Sequence, residues 1–412
     1  MRILVVSQYF WPEDFRINEL VKDFKKKGHE IVVLTGVPNY PEGKIFSDYK
    51  KNKSEFNELN GCQIIRVPII PRGKNKISLF LNYLSFIFLG SFYGLTKLSK
   101  FKFDSIFVFE PSPIFVCLPA ILIKWYKKIP LTLWVLDLWP QTLTAVGLLK
   151  EGGVAVKTLS ILVRFIYRNC DLILGQSIGF VKEISKYCDR NEKVKYFPNW
   201  YEDIYLQSNY VPAPEIVKYE NTFDIIFAGN IGDAQDFPTI IKAMELMGPK
   251  ENIRLIVIGE GRKYEWLKGI VKSKNLESKV VLLGRFPNRR MPEFFLHADA
   301  FLVSLRPHEI FNKTIPGKLQ SYLISKKPVI GMLKGDGEKV INNSGCGFNV
   351  NPGNHNELYE SILRLSKLDK NELSKFGLNG FNYAIKNFNK EVVYKDLEVW
   401  LSELKHPLSS KA

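Results

Sequence analysis

Cysteine is scarce in this sequence of 412 residues. The five cysteines are scattered, odd in number and form no CxxC pair and no cluster with histidine: Cys62, Cys117, Cys170, Cys188 and Cys346. Paired or regularly spaced cysteines are typical of zinc-binding and disulfide-stapled domains. Their absence predicts a reduced, cytosolic chain with no structural zinc.

Glycine is missing from the start of the chain, because none precedes Gly28. The apolar run Ile3–Val6 predicts a first β-strand, and the loop SQYFWPEDFRIN follows it. A dinucleotide-binding dehydrogenase would carry GxGxxG at that point, so hydride transfer on this domain is disfavoured. The phosphate-binding motif GxxxxGK[ST] is also absent. The N-terminal apolar run is too short, and lacks the small-residue cleavage site, for a signal peptide.

The totals are those of a globular protein that carries excess positive charge. Hydrophobic residues make up 46% of the chain and charged residues 24%, which argues against general disorder. A chain of this length usually forms two domains. The net charge is +16, and residues 44–128 alone hold fourteen Lys or Arg against five Asp or Glu. No zinc finger, RNA-recognition signature or basic heptad accompanies this charge, so an anionic membrane surface is favoured over nucleic acid.

One long apolar segment lies inside the basic window. Residues 77–96, ISLFLNYLSFIFLGSFYGLT, are about long enough to span a bilayer, although Asn82, three serines and two glycines weaken that reading. We expect an in-plane or buried helix that makes a monotopic membrane contact. A helix packed inside an α/β domain is the alternative. Basic residues flank both ends of the segment: Arg72, Lys74 and Lys76 before it, and Lys97, Lys100 and Lys102 after it.

Short apolar runs alternate with amphipathic helical patterns along the chain, which predicts parallel, doubly wound sheets. Predicted strands in the first half are Ile3–Val6, Ile31–Leu34, Gln63–Val67, Ser105–Phe109, Leu131–Leu136 and Leu172–Gly175. Those in the second half are Phe223–Ala228, Ile253–Ile258, Val280–Leu283, Ala300–Leu305 and Pro328–Met332.

The alternation pauses at the polar, turn-rich residues 199–222, which we predict to be a linker. The sequence thus predicts an α/β protein of two Rossmann-like domains that face a cleft, comprising residues 1–198 and 223–385. A last helix within 386–412 is expected to pack back on the first domain. Ligands of such sheets bind beyond the carboxyl ends of the strands, so the loops after the strands are the candidate sites.

Three loops of the second half have residues suited to an anion. FAGNIGDAQD (227–236) offers glycines that let the backbone approach a ligand closely. VIGEGRKYEWLK (257–268) places cations at a helix start, where they oppose the helix dipole. RPHEIFNKTIPGKLQSYLISKKPVI (306–330) opens a helix at Gly317 and Lys318, and its free amides and ammonium suit a diphosphate.

These loops give the second half a resemblance to the donor domain of glycosyltransferase family 4, which has the GT-B fold. The resemblance rests on FAGNIGDAQ, VIGEGRKYEWL, VVLLGRFP, MPEFFLHADAFLVSL and TIPGKLQSYLISKKPVI, in the family's order and spacing. The first half resembles the L-fucosaminyltransferase-like enzymes of capsule and O-antigen assembly. That match rests on SQYFWPE, LTGVPNYPEGKIFSDY, DLWPQTL and YFPNW.

The resemblance implies transfer from a nucleotide-diphosphate sugar with retention of configuration, no cofactor and no metal. The donor diphosphate would carry the developing charge, stabilised by amides and cations. At the family's glutamate positions this chain has Lys313 and Ser321, and Asn230 and Gln235 replace the common Arg and Lys of the first donor loop. The residues implied to bind the donor are Gly229, Asn230, Gln235, Arg262, Arg285, Lys313, Gly317, Lys318 and Ser321.

Asp137, in VLDLWPQTL, is the candidate catalytic residue. It follows an apolar strand, at a place where the family often has His or Asp near the reacting centre, and could orient or deprotonate an acceptor hydroxyl. The alternative is a helix cap. Glu110 and Glu13 lie in other loops of the first half and are candidates for binding the acceptor.

The sequence and the resemblance together predict a glycosyltransferase attached peripherally to the cytoplasmic face of the inner membrane. Its donor is expected to be a UDP-linked N-acetylated deoxysugar such as N-acetyl-L-fucosamine. Its acceptor is expected to be a polyprenyl-diphosphate-linked saccharide. The alternatives are a nucleotide-sugar epimerase of the same fold and a non-catalytic nucleotide-sugar-binding protein.

Overall fold

The computed structural model describes residues 1–73 and 75–405, which form two compact units. The first unit contains Met1–Gln176, Phe180–Phe197 and the chain from Tyr394 onward; the second contains Ser177–Gly179 and Pro198–Val393. The segment 199–222, predicted to be a linker, therefore belongs to the second unit. Tyr201, Ala213 and Ile216 anchor it there in a buried cluster, because they supply apolar side chains within its polar sequence.

The first unit is built on an eight-stranded sheet in the order β3-β4-β2-β1-β5-β6-β7-β8. The β3–β4 pair is antiparallel and the other pairs are parallel. The central strands are buried on both faces, as parallel strands covered by helices must be. The strands are β1 Arg2–Ser7, β2 Glu30–Gly36, β3 Glu58–Leu59, β4 Cys62–Val67, β5 Ser105–Glu110, β6 Leu131–Val135, β7 Leu172–Gly175 and β8 Val194–Tyr196.

Helices connect these strands and cover both faces of the sheet. They are α1 Arg16–Lys26, α2 Ser47–Lys51, α3 Lys76–Thr96, α4 Cys117–Lys127, α5 Gln141–Ala145, α6 Val154–Asn169 and α7 Ile178–Ser185. Because parallel crossovers are right-handed, α3, α4 and α6, which all lead toward the β8 edge, share one face. On α1, Phe24 packs edge-on against Tyr394 of the last helix, Lys390–Lys405. His29 binds Glu398 of that helix at 2.8 Å.

The second unit has a six-stranded sheet in the order β11-β10-β9-β12-β13-β14, with all pairs parallel. Its strands are β9 Phe223–Ala228, β10 Ile253–Ile258, β11 Val280–Gly284, β12 Ala300–Ser304, β13 Val329–Met332 and β14 Gly347–Val350. Its helices are α8 Phe237–Glu245, α9 Tyr264–Ser273, α10 Met291–Phe295, α11 Glu309–Asn312, α12 Lys318–Ile324, α13 Asp336–Ser344, α14 His355–Ser366 and α15 Lys370–Asn387, and Lys390–Lys405 becomes α16. Two parallel Rossmann-like sheets confirm the predicted α/β class.

Helix α3 contains the long apolar segment. Residues Ile77–Thr96 are long and apolar enough to cross a membrane by length and composition alone, and about a fifth of the segment is buried. Of its basic flanks, Lys74 lies outside the described residues, as do residues 406–412 at the end of the predicted last helix. The sequence pattern did not predict which side of this helix faces the protein. In the structure one side of the helix is buried and the other side is exposed to solvent.

Candidate functional site

Four loops meet at the carboxyl edge of the second sheet, and backbone hydrogen bonds join them. The Gly229 amide, just after β9, donates to the Ile258 carbonyl at the end of β10 (2.8 Å). The Gly259 amide in turn donates to the Gly284 carbonyl at the end of β11 (2.7 Å). From the β12 side, the Arg306 amide donates to the Ala234 carbonyl (2.8 Å). The loops predicted from the sequence as donor-binding segments therefore form one continuous surface.

Glycine is required where these loops touch. Gly259 has φ +145°, and a Cβ atom there would lie 1.9 Å from the Gly229 carbonyl oxygen. A Cβ on Gly261 would lie 2.3 Å from the Ile231 carbonyl oxygen. Real Cβ atoms do not approach backbone oxygens so closely, so larger residues would push the two loops apart. The exposed Gly229–Asn230 turn is thus held against the loop after β10 without side chains between them.

Lys318 places a buried amine beside this turn. Its Nζ atom is 3.5 Å from the centroid of the Phe227 ring, and a Cβ added to Gly229 would lie 2.9 Å from it. The residue as a whole is half-buried, but Nζ is buried and has no hydrogen-bond partner among the described residues. Burial lowers the pKa of Lys318 to about 7. A buried amine without a partner is costly, so this arrangement fits a group that an anion completes.

Tyr322 fixes the position of Lys318 and was not singled out from the sequence. It lies one turn later in α12, so both side chains project from the same side of the helix. Its hydroxyl donates to the Ala228 carbonyl (3.3 Å) and accepts from the Ala228 amide (2.8 Å). Its ring stacks on Phe301 with centroids 4.3 Å apart. The sequence did show a tyrosine on the apolar side of a predicted helix, which indicates a buried hydroxyl that needs a partner. It could not identify that partner, because Ala228 is 94 residues away in the sequence.

Asn230 and Gln235 shape the first donor loop. The Gln235 Oε1 accepts from the Gly232 amide (3.1 Å) and from the Asn230 Nδ2 (3.3 Å), which closes the turn. Asn230 remains exposed. Arg262 follows β10 and Arg285 follows β11, and both are exposed on the loops of the same sheet edge. These four residues therefore lie on loops at the carboxyl edge of the second sheet, and donor binding by them stays a prediction from the sequence.

The three remaining donor candidates lie before or within α12. Gly317 is exposed and immediately precedes the helix, whereas Ser321 is buried one turn after Lys318. The Lys313 carbonyl accepts a hydrogen bond from the Ser177 hydroxyl, so its backbone packs against the segment Ser177–Gly179. The structure thus leaves Gly317 accessible, but it buries Ser321, which stands at one of the family's glutamate positions.

Asp137 follows β6 in the first unit and its carboxylate is buried in a network of donors. The Trp139 Nε1 donates to the Asp137 Oδ2 at 3.0 Å, and the hydroxyls of Thr142 and Ser112 and the Leu138 amide also hydrogen-bond to the carboxylate. Burial raises the pKa of Asp137 despite these bonds. The carboxylate therefore anchors the turn into α5, and its raised pKa also makes it a stronger base.

Glu110, at the end of β5, lies beside Asp137. The Asp137 amide donates to the Glu110 Oε2 at 3.4 Å, while the Glu110 Oε1 is buried and has no hydrogen-bond partner among the described residues. Burial, with the Asp137 charge as a second cause, raises the pKa of Glu110 well above its ordinary value. The structure therefore brings together two of the carboxyl groups that the sequence identified separately.

Glu13 is enclosed by backbone. Its Oε1 accepts from the amides of Asn39 (2.7 Å) and Tyr40 (2.6 Å), and its Oε2 accepts from the Phe10 amide (3.1 Å). Burial raises the pKa of Glu13 to about 7 although these bonds favour the carboxylate. The carboxylate thus joins the loops after β1 and β2, and acceptor binding by Glu13 stays a prediction from sequence.

The cysteines are free thiols, and the Cys117 and Cys170 sulfurs lie 4.0 Å apart. Burial raises the pKa of Cys117, which keeps the thiol protonated. Among residues 1–73 and 75–405, no three His, Cys, Asp or Glu side chains cluster so as to hold a metal ion.

Comparison with known proteins shows what the chain is similar to. Residues 213–382 match the family of glycosyl transferases group 1. The chain is 24% identical over 310 residues to "Probable glycosyltransferase WbjE" of Pseudomonas aeruginosa, covering 73% of this chain and 75% of that one. It is 24% identical over 341 residues to WcaI of Escherichia coli, whose name refers to a glycosyl transferase of colanic acid biosynthesis, with 78% and 81% covered.

A third relative and a solved structure extend these findings. The chain is 25% identical over 240 residues to the Campylobacter jejuni N-acetylgalactosamine-N,N'-diacetylbacillosaminyl-diphospho-undecaprenol 4-alpha-N-acetylgalactosaminyltransferase, covering 57% of this chain and 61% of that one. The crystal structure of Anabaena Alr3699/HepE in complex with UDP and glucose superposes with a TM-score of 0.71 at 15% identity, covering 98% of this chain and 100% of that one. The protein thus has the GT-B fold, its residues 213–382 match the group 1 glycosyl transferases, and it is similar to proteins named as glycosyltransferases of bacterial polysaccharide biosynthesis.

Proposed function

We propose that the protein is a retaining glycosyltransferase that moves a sugar from a UDP-sugar to a polyprenyl-diphosphate-linked saccharide in capsule or O-antigen biosynthesis. The observation that carries the donor assignment is the buried Lys318 amine beside the exposed Gly229–Asn230 turn. A nucleotide diphosphate supplies the negative charge that this amine lacks in the described structure. The UDP complex of the HepE protein supports the choice of nucleotide.

Lys318 is the main electrostatic group of the proposed donor site. The pKa of Lys318 is about 7, and a bound diphosphate would raise it, so that the amine takes up a proton. The ammonium and the diphosphate then form an ion pair in surroundings of low dielectric constant, where their attraction is strong. Amides of the Gly229–Gly232 turn, and the exposed Arg262 and Arg285, add further positive potential. Such groups stabilise the negative charge that develops on the leaving diphosphate, so the proposed reaction requires neither a metal nor a cofactor.

Asp137 is the proposed proton acceptor. The acceptor hydroxyl oxygen bonds to the anomeric carbon while the bond from that carbon to the diphosphate oxygen breaks, and both electrons of the broken bond remain on UDP. The hydroxyl proton passes to the Asp137 carboxylate, whose pKa is raised by burial. Attack from the face that the diphosphate leaves retains the anomeric configuration. Glu110 lies beside Asp137 and is proposed to bind the acceptor, because its buried Oε1 has no hydrogen-bond partner in the part of the chain that the structure describes.

The finer identity of the substrates rests on resemblance and on relatives. The first-half motifs DLWPQTL and YFPNW favour the L-fucosaminyltransferase-like branch of family 4, and hence an N-acetylated deoxysugar such as N-acetyl-L-fucosamine. The name of the Campylobacter relative, which acts on a diphospho-undecaprenol-linked sugar, supports a polyprenyl acceptor. Such an acceptor places the enzyme at the cytoplasmic face of the inner membrane as a peripheral protein.

The proposal is tested by transfer to a defined acceptor. Purified protein would be incubated with a panel of UDP-sugars and a synthetic polyprenyl diphosphate bearing one N-acetylated sugar. We expect the mass of the lipid product to increase by one sugar residue, with an equal amount of UDP released and the donor's anomeric configuration kept. Isomerised UDP-sugar formed without the acceptor would instead identify an epimerase. UDP-sugar binding without any product would identify a non-catalytic binding protein.

A further inference from the structure

Three helices of the first unit form one layer whose outer side exposes large apolar side chains. Helix α3 packs along α4, and α4 packs against α6, where Trp125 and Phe165 make an edge-on contact with ring centroids 6.2 Å apart. We call the solvent-exposed side of α3, α4 and α6 the three-helix face. It carries large apolar side chains on all three helices, including Phe80, Phe88, Phe92, Trp125, Ile161 and Phe165.

The exposure of these side chains is large. Phe88 is 68% exposed and Ile161 is 70% exposed, and they lie on different helices of the same layer. Exposed large apolar side chains that gather on one side of a protein are typical of interaction surfaces. The apolar side chains of the three-helix face therefore indicate a surface that binds a partner.

The opposite side of α3 packs against the rest of the first unit. The Asn82 side chain is fully buried, where its Oδ1 accepts from the Gln8 Nε2 (2.7 Å) and its Nδ2 donates to the Ile70 carbonyl (2.6 Å). Farther along the helix, a Cβ on Gly94 would lie 2.5 Å from the Ile123 Cδ1 of α4. A bilayer-spanning α3 would lose these contacts and bury Asn82 in lipid. The helix therefore stays on the sheet and offers only its outer side.

Positive charge surrounds and interrupts the apolar surface. No acidic residue occurs between Ile77 and Phe103, whereas exposed Lys97, Lys100 and Lys102 follow the end of α3. On α6, exposed Lys157 and Arg164 alternate with the exposed apolar residues. Long cationic side chains at the border of an aromatic and aliphatic surface match the negative surface potential of an anionic bilayer.

We infer that the three-helix face docks onto an anionic lipid bilayer, with α3, α4 and α6 lying in the plane of the interface. The inference rests on the proposed function for its membrane-borne acceptor, and it defines the surface that meets that membrane. Apolar side chains insert at the depth of the headgroups, while the lysines stay with the lipid phosphates. The sequence predicted a basic membrane-facing region within residues 44–128, with the contact near residues 72–102; the inference extends the contact to the exposed sides of α4 and α6.

The test is flotation of the full-length protein with phosphatidylcholine vesicles that contain or lack phosphatidylglycerol. We expect binding only with phosphatidylglycerol, and weaker binding as salt is added. Phe88→Glu on α3 and Ile161→Glu on α6 should each weaken binding about tenfold or more, because each replaces inserted apolar area by a charge. Leu378→Glu, at an exposed leucine of α15 in the second unit, is the matched control and should bind normally.

Each other outcome overturns the inference. Normal binding by Ile161→Glu would restrict the contact to α3, and equal binding to vesicles without phosphatidylglycerol would remove the role of charge. A dimer that Phe88→Glu dissociates would make a second copy of the chain the occupant. Retention on membranes after alkaline carbonate extraction would indicate a spanning helix. Thermal stabilisation by UDP, measured on every variant, reports the donor site separately, so failure of docking and failure of the proposed enzyme are distinguishable.

Discussion

The Lys318 ammonium nitrogen lies 3.5 Å from the centroid of the Phe227 ring, so the end of β9 and the start of α12 meet at a single buried amine. The ring stabilises the protonated form through its negative face. Burial acts in the opposite direction and lowers the pKa of Lys318 to about 7. The amine is therefore poised to gain a proton when an anion arrives, which ties donor binding to pH.

Lys318→Met is expected to raise the melting temperature of the ligand-free protein at pH 7 and to abolish its stabilisation by UDP. The pKa of this amine is about 7 in the folded protein and 10.5 in its ordinary state, so between these values the unfolded chain binds more protons. The loss of folding stability that Lys318 causes is consequently absent above about pH 10.5, and it grows as the pH falls toward 7. Methionine keeps the apolar stem without the amine.

The check on Lys318 is a series of melting temperatures from pH 7 to about pH 10, with and without UDP. The advantage of the variant over the parent should shrink as the pH rises. Lys272→Met, at an exposed position of α9, is the control and should leave both quantities unchanged. An undiminished response to UDP in Lys318→Met would remove Lys318 from the donor site.

Gly259→Ala is expected to destabilise the protein and to weaken UDP binding. The added Cβ would lie 1.9 Å from the Gly229 carbonyl oxygen at a φ of +145°, so the two donor loops must separate. Strained backbone of this kind costs about 1–3 kcal/mol before the clash is counted. Gly269→Ala is the matched control, because nothing lies within 4 Å of its Cβ inside α9.

The helical control should stabilise the protein by about 0.5–1 kcal/mol, the difference between glycine and alanine within a helix. Thermal unfolding and UDP titration of both variants give the comparison. Similar UDP affinity for Gly259→Ala and the parent protein would contradict the close approach of the loops.

Tyr322→Phe is expected to destabilise the second unit by about 1–3 kcal/mol, because the buried Ala228 amide loses its side-chain acceptor. UDP binding should weaken as well, since α12 is no longer held at the end of β9. Urea unfolding and UDP titration measure the two effects. Tyr359→Phe in α14, a partly buried tyrosine that packs on the same unit, should change neither strongly.

Asp137→Asn is expected to lower turnover by about 10²–10⁴-fold, the usual contribution of a general base. Asparagine keeps the shape and one acceptor oxygen of the side chain, but its amide nitrogen would face the donors around the carboxylate, so the melting temperature should fall as well. Because burial raises the pKa of Asp137, turnover of the parent should also fall with decreasing pH before that of an ordinary aspartate would.

The control for Asp137 is Asp396→Asn, at an exposed position of α16. It should match the parent in turnover and in melting temperature. Normal turnover combined with a lower melting temperature in Asp137→Asn would identify Asp137 as a structural cap and not as the base.

The sequence alone predicted the α/β class and eleven of the strands, because buried parallel strands are long apolar runs bounded by turns. It did not predict β3, β8 or β14, which are short edge strands of two to four residues with mixed polarity. It located the loops around Lys318 through their glycines and cations, since those residue types are needed locally.

The tertiary structure decided what depends on distant partners. Tyr322 and Ala228 are 94 residues apart, so no local pattern could reveal that their bond positions Lys318. Helix α3 is apolar all round, and periodicity therefore could not separate its two sides. Packing against the sheet did so, because Asn82 is buried with polar partners inside the first unit, whereas Phe88 remains exposed. A sequence determines which groups a segment carries, but only the packed chain determines which of them are satisfied.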